Sequence, residues 1–261
     1  MAKFCKCCGG EVKPHNGGYQ CIFCGEMYGS AEELEPPRSA KKSTRARMAE
    51  IPVTPKSEHG VDVFESNINA VLEITWSDSM YKHSGSGFLI SEDGYAVTNA
   101  HVVTHETGRS CRQVNVRVCG ETTVADVILL GDDRHGSGSG VDLALIKLHR
   151  VPVGARIVQF ENFNNVRIGE SVFVIGNSLG FGTCITGGIV SDKLRNVNGK
   201  MLMMTDCAVN GGNSGGPIFN ERGLVIAAVV SGITAAEGMN FGIPSSTIGQ
   251  FLQIACDRGL M

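Results

Sequence analysis

From about residue 61 onward the chain reads as short apolar runs separated by glycine and small polar residues. The runs include GFLI, YAVTN, VNVRV, ADVILL, DLALIKL, SVFVIG, GGIVS, MLMMTD, GPIF and LVIAAVVSGI. Short strands at regular spacing, punctuated by turn residues, predict a β-barrel or sandwich. Between the first two runs, Ser91-Glu92-Asp93-Gly94 predicts a hairpin turn, because Gly94 tolerates positive φ. Near the end the period changes. Ile248, Phe251, Leu252 and Ala255 fall on one helical face, and Ser245 or Ser246 is placed to cap that helix.

Ahead of this region the pattern is different. Residues 1–28 are short, cysteine-dense and glycine-bearing, whereas residues 29–60 lose apolar periodicity and gather prolines and charges. That composition predicts a linker. Three parts follow: a cysteine module at 1–28, a linker at 29–60 and a β domain at 61–261. At 261 residues and 42% apolar content the chain is folded rather than disordered. The net charge of −3 supplies no basic field for nucleic acid. The longest apolar run, Leu224 to Val230, falls well short of the ~20 residues of a membrane span, so no membrane association is expected. The opening MAKFCKCCGG lacks the apolar core of a secretory signal, and five of the ten cysteines crowd into the first 24 residues. Free thiols in a reducing cytoplasm are the expectation.

The stretch Gly211-Gly212-Asn213-Ser214-Gly215-Gly216-Pro217 is made of turn-forming residues, so by itself it is an ordinary turn. A nucleophile would need a base and an orienting carboxylate elsewhere. Of seven histidines, His101 stands out in AVTNAHVVT, where a β run ends and apolar neighbours fix the imidazole at a strand end. The carboxylate candidate is Asp142 in GVDLALIKL, anchored by Leu143, Leu145 and Leu148; Asp132 and Asp133 sit in a glycine-serine stretch that reads as an exposed loop. A carboxylate that holds one imidazole tautomer must be rigid and shielded, which favours Asp142.

TNAHVV, DLALIKL, TDCAVNGGNSGGPIF, VIGNSLGFGTCITGGIVSD and NFGIPSS together resemble the trypsin-like serine proteases of the HtrA (Deg) branch, over roughly residues 65–256. The order His, Asp, Ser is the chymotrypsin-type order. The resemblance implies two six-stranded antiparallel β-barrels with a C-terminal helix and the active site in the cleft between barrels. It also implies catalytic roles for His101, Asp142 and Ser214, and an oxyanion hole from the backbone N–H groups of Gly212 and Ser214.

Departures from the trypsin pattern are specific. Asn213 stands where digestive members carry an aspartate that pairs with a newly cut chain terminus, so activation by terminal cleavage is not expected. Ala208, six residues before Ser214, replaces the acid that selects Lys or Arg. Ala208, Val209 and Asn210, with Val230, Ser231 and Gly232 opposite, predict a small apolar pocket for side chains such as Val, Ala or Ile. HtrA proteins usually carry a PDZ domain after the protease; none is expected in this sequence, and the family's trimer is allowed without being required.

At the front, Cys5-x2-Cys8 and Cys21-x2-Cys24 supply four thiolates for one tetrahedral structural zinc ion, as in small zinc ribbons. Cys7 competes with its neighbours, and His15 is a weaker substitute ligand. With all four positions taken by cysteine, no site is open for catalytic water. The reading is a serine endopeptidase acting on protein or peptide substrates, with the zinc ribbon recognising a regulatory partner or substrate. Two alternatives are a catalytically silent protease fold that binds peptides and a zinc-ribbon nucleic-acid adaptor. The second leans on RSAKKSTRAR, a basic run that reads better as a solvated linker.

Overall fold

A computed structural model describes residues 12–21, 27–30, 59–78, 82–105, 108–131, 140–230 and 238–261. Expectations for Cys5, Cys7, Cys8, Cys24, Asp132, Asp133, Ser231 and Gly232 lie outside these residues, as does the side chain of Cys21. The chain divides into two units, Met1–Lys56 and Ser57–Met261.

In the first unit, β1 (Val12–His15), β2 (Gly18–Cys21) and β3 (Met27–Tyr28) form one antiparallel sheet in that order. Asn16 and Gly17 both take positive φ, 44° and 83°, which suits a two-residue turn between twisted strands. Buried Val12 packs with Tyr19 and Tyr28, a very small core.

The second unit opens with α1 (His59–Asn67), then β4 (Val71–Ser77), β5 (Lys82–Leu89), β6 (Tyr95–Thr98), β7 (Gln113–Val118), β8 (Glu121–Leu130) and β9 (Ala144–Leu148). These six strands close into a barrel in the order β4-β5-β6-β9-β8-β7. A second barrel follows from β10 (Ser171–Asn177), β11 (Thr183–Val197), β12 (Lys200–Thr205), β13 (Pro217–Asn220), β14 (Val225–Val230) and β15 (Asn240–Pro244). Its order is β10-β11-β12-β15-β14-β13, and α2 (Ser245–Asp257) comes directly after it. This is the chymotrypsin-like architecture that the apolar runs and the family resemblance predict. No helix among the described residues is long and apolar enough to cross a membrane.

The packing explains why some strands alternate and others are apolar throughout. β7 alternates because one face meets water: Val114, Val116 and Val118 are buried and the residues between them exposed. In β9, Ala144 and Ile146 fill the first barrel while Leu145 packs on the opposite side with Phe88, Ile175, Phe219 and Phe251. β14 behaves likewise: Ile226, Ala227 and Val229 fill the second barrel and Ala228 faces the other cluster. Strands buried on both faces read as continuous apolar runs. The predicted hairpin is present, with Gly94 at φ 100° and its N–H donating to the Ser91 carbonyl at 3.1 Å.

Two local readings need correction. The α2 face is as expected, with Ile248, Phe251 and Ala255 buried, but no serine caps the helix. Pro244 occupies the N-cap position, and the Ser245 hydroxyl donates instead to the Glu161 carbonyl at 3.0 Å. Tertiary contact takes the hydroxyl that a local cap would have used. The segment 59–77 also holds α1 and β4, which the run-by-run reading passed over; Leu72, Ile74 and Trp76 are the alternating buried positions of β4.

Glu161 ties the inter-barrel connection to the second barrel. Its side chain is 7% exposed. Oε1 accepts from the Asn162 N–H and the Asn165 amide, each at 2.9 Å. Oε2 accepts from the Asn220 amide at 3.2 Å and pairs with Arg222. Glu161→Ala leaves these donors without their acceptor, which typically costs about 1–3 kcal/mol. The expected result is a lower urea midpoint with an unchanged slope.

Candidate active site

The first barrel delivers an imidazole and a carboxylate to the same place. β6 ends at Thr98, Asn99 is fully buried, and His101–Val103 form one turn of 3₁₀ helix. That turn is held from below: the Trp76 indole N–H donates to the Val102 carbonyl at 2.7 Å. Asp142 immediately precedes the fully buried Leu143, and the Asn99 amide donates to its backbone carbonyl at 2.8 Å. Asp142 Oδ1 accepts from the His101 backbone N–H at 3.0 Å, and Oδ2 lies 2.7 Å from His101 Nδ1. The carboxylate is only an acceptor, so the short contact puts the ring proton on Nδ1 and leaves Nε2 as a base. The His101 side chain is 38% exposed and that of Asp142 19%, so the ring is partly open to solvent.

The second barrel supplies the serine. The Asn213 N–H donates to the Asn210 carbonyl at 3.1 Å, closing a turn in which Gly212 takes φ +96°. Positive φ at the third residue of such a turn is the type II geometry. A side chain at Gly212 would collide with the chain, since a Cβ there would lie 2.1 Å from the Asn177 carbonyl oxygen. Gly215 is crowded for a different reason: its absent Cβ would meet the Ser86 carbonyl oxygen and Thr98 Oγ1 at 2.4 Å and the Asn99 nitrogen at 2.8 Å. The residue after Ser214 therefore packs directly on those leading into His101. Ser214 is 7% exposed, and its carbonyl accepts from the Ser86 N–H at 2.8 Å.

Asn213 is 1% exposed, and among the described residues its Oδ1 has no hydrogen-bond partner. It carries no charge with which to hold a chain terminus. Along the predicted pocket wall, the Ala208 carbonyl accepts from Thr186 Oγ1 at 2.9 Å and the Asn210 amide donates to Ser178 Oγ at 3.2 Å. Val209 packs against the second-barrel core. Cys207, next in the chain before Ala208, is fully buried, and that burial pushes its thiol pKa up. Val230 lines a cavity of about 210 Å³ with Asp142, Leu202 and Ile243. Residue-by-residue reading missed Ser86; the available signal was the run Ser84-Gly85-Ser86-Gly87, small residues leading straight into the apolar Phe88-Leu89.

A chymotrypsin-like pair of barrels, with a histidine–aspartate couple on the first and, on the second, a glycine-rich serine turn whose Gly215 packs on Thr98 and Asn99, is the arrangement of the trypsin-like peptidase class. The model of the trypsin-like peptidase domain matches residues 85–227, over half of the chain, and the chain belongs to that family. It is similar to a probable periplasmic serine endoprotease DegP-like of Brucella suis, 38% identical over 181 residues, covering 67% of this chain and 33% of that protein. It is also similar to serine protease HTRA1B of Danio rerio, 38% identical over 184 residues, covering 67% of this chain and 35% of that protein. Among solved structures, the HtrA-type protease AlgW with tripeptide superposes with a TM-score of 0.66 at 26% identity, covering 76% of this chain and 64% of that one. The chain thus spans about a third of the length of the curated relatives it matches.

One expectation is overturned. Relatives from Brucella suis, Chlamydia trachomatis and Rickettsia prowazekii are named periplasmic, which points to an extracytoplasmic location rather than the cytoplasm. The thiol argument carried no such information. Cys111, Cys119, Cys184, Cys207 and Cys256 stand unpaired in this fold, and unpaired thiols persist in any compartment where no partner is in reach.

Proposed function

We propose that the protein is a serine endopeptidase in which Ser214 attacks, His101 moves the proton and Asp142 holds the imidazole. The His101–Asp142 contact carries this reading: both carboxylate oxygens are committed to one residue, which fixes the ring and its tautomer. Nε2 takes the proton from the Ser214 hydroxyl as Oγ adds to a peptide carbonyl. The same proton then goes to the leaving amine as the C–N bond breaks. Water next enters against His101, gives up a proton to Nε2 and adds to the acyl carbon, and Ser214 leaves with that proton. The N–H groups of Gly212 and Ser214 are the donors for the oxygen that becomes negative, each typically worth about 2.7–4 kcal/mol in the transition state.

Proteins and peptides are the substrate class, in keeping with the endoprotease names of the relatives and with the tripeptide that accompanies AlgW in its solved structure. The uncharged wall of Ala208, Val209 and Asn210 favours small aliphatic side chains before the cut. A peptide library digested by the full chain is expected to yield Val, Ala or Ile there, with a shallow preference, because apolar fit discriminates by only ~1–3 kcal/mol per methylene. A profile dominated by Lys or Arg would sink the pocket assignment.

The amino-terminal module is read as a zinc ribbon with Cys5, Cys8, Cys21 and Cys24 as ligands. The hairpin fits the donor set. Val12 pairs with Cys21, so the chain enters β1 opposite the first cysteine of the second pair. His15 pairs with Gly18 at the far end of the hairpin, about 10 Å along the strand at ~3.3 Å per residue, which disfavours it as a ligand with Cys21. The metal would supply folding energy to a very small core. One zinc ion per chain is expected by elemental analysis, falling well below one in Cys21→Ser; metal content unchanged by that substitution would dismiss the site. The ribbon's role is to recognise a protein partner or substrate.

A further inference from the structure

Ser86 occupies the middle of β5 in the first barrel, fully buried, yet every polar atom it owns is committed to the site. Its backbone N–H donates to the Ser214 carbonyl at 2.8 Å. Its hydroxyl donates to the Gly212 carbonyl at 2.7 Å and accepts from the Asn177 N–H at 2.9 Å. Its own carbonyl accepts from Thr98 Oγ1 at 2.7 Å, just ahead of the histidine turn. A hydroxyl has one hydrogen to give, and this one is spent on the loop that carries the nucleophile.

The geometry points to a positioning function. Two successive carbonyls of the Gly211–Gly212 stretch are captured: the Leu179 N–H binds the Gly211 oxygen at 2.6 Å, and Ser86 Oγ binds the Gly212 oxygen. A trans peptide directs its N–H opposite to its C=O. Capturing the Gly211 carbonyl therefore sets the direction of the Gly212 N–H, the proposed oxyanion donor, and capturing the Gly212 carbonyl holds the next peptide with its N–H on the Asn210 carbonyl. Gly212 has φ +96° and no side chain, so nothing intrinsic keeps its peptides from turning over. Asn177 joins the two captures. Its N–H rests on Ser86 Oγ, and its Oδ1 accepts from the Gly182 N–H at 3.0 Å, bracing the loop that presents Leu179.

We propose that Ser86 is a positioning residue for the Gly212 oxyanion-binding amide, its hydroxyl clamping the far side of the Gly212 residue at its carbonyl and, through the Asn177 N–H, the loop whose Leu179 holds the Gly211 carbonyl. Ser86 touches neither substrate nor nucleophilic oxygen; it acts through Gly212. The assignment rests on the peptidase reading of Ser214. Because the clamp serves the charge that develops during reaction, its loss falls on the transition state rather than on substrate binding.

The experiment uses the full chain and Ser86→Ala, with kcat and KM on a peptide substrate and the affinity of a peptide aldehyde that forms a tetrahedral adduct on Ser214. A lost oxyanion donor costs about 10²–10³-fold, and a donor left in place but unfixed loses part of that. The expected result is a fall in kcat of about 10–100-fold with KM within about twofold, and an aldehyde affinity that falls by the same factor as kcat/KM. The thermal midpoint of each variant reports its fold. If Ser86→Ala does not fold, the near-isosteric Ser86→Cys carries the test, with aldehyde affinity expected to fall severalfold because a thiol is the weaker donor. Unchanged kcat and aldehyde affinity in a folded variant, or a loss confined to KM, overturns the clamp alone. A parent chain that neither cleaves peptides nor reacts with a fluorophosphonate at Ser214 overturns the peptidase reading and the clamp together.

Discussion

Ser214→Ala is expected to abolish covalent labelling by a fluorophosphonate and to lower peptide hydrolysis by about 10⁶-fold in kcat, leaving only the activity a bound but unattacked substrate shows. The size of the effect follows from the arrangement. His101 Nε2 is a base only because Asp142 holds the proton on Nδ1, and without an attacking oxygen that base has no proton to take from the nucleophile. The substitution should leave the fold intact. Ser214 is held through its backbone carbonyl by the Ser86 N–H, and its neighbour Gly215 through an N–H to the Val229 carbonyl at 2.9 Å, neither of which uses the hydroxyl. Intact-mass analysis after probe treatment, on parent and variant side by side, reads the outcome. Labelling of the alanine variant at the parent's rate would remove Ser214 from the nucleophile's role, and an unlabelled, well-folded parent would favour a silent peptide-binding fold.

Asp142→Asn carries the second largest effect, about 10⁴-fold in kcat. The structure says which way the new amide turns. The His101 backbone N–H donates to Oδ1, so the amide oxygen must occupy that position to avoid setting donor against donor. The amide NH₂ then faces His101 Nδ1 in place of Oδ2. It donates to Nδ1, the ring proton moves to Nε2, and Nε2 can no longer accept from Ser214. KM should change little, because both Asp142 carboxylate oxygens are committed to His101. Steady-state kinetics decide this, together with nitrogen chemical shifts of the imidazole, which should report protonation at Nε2 in the variant. A variant retaining a tenth or more of the parent kcat would mean that Asp142 does not set the tautomer.

Much of this molecule is legible one residue at a time. The barrel strands announce themselves because a closed sheet buries alternate residues, and β7 shows that alternation plainly. His101 and Asp142 stand out because each abuts a strand whose apolar residues fix it, whereas the turn at Ser214 gains its meaning only beside them and through the family resemblance. Local rules failed where a distant partner outbid a near one. Ser245 looked like a helix cap until the Glu161 carbonyl took its hydroxyl. Location was misread for a different reason: thiol spacing and an opening segment say little about compartment, and the relatives' names point outside the cytoplasm.

The sequence by itself determined the all-β class, the order of histidine, aspartate and serine, and the neutral character of the residues before the serine, because periodicity and residue type act locally. Only the tertiary structure decided that both oxygens of Asp142 serve His101, and that Gly215 lies against Thr98 and Asn99. It alone showed Ser86 spending its hydroxyl on Gly212, 126 residues away. A buried hydroxyl must find a partner wherever the fold brings one within reach, and no local pattern in the chain encodes which one that is.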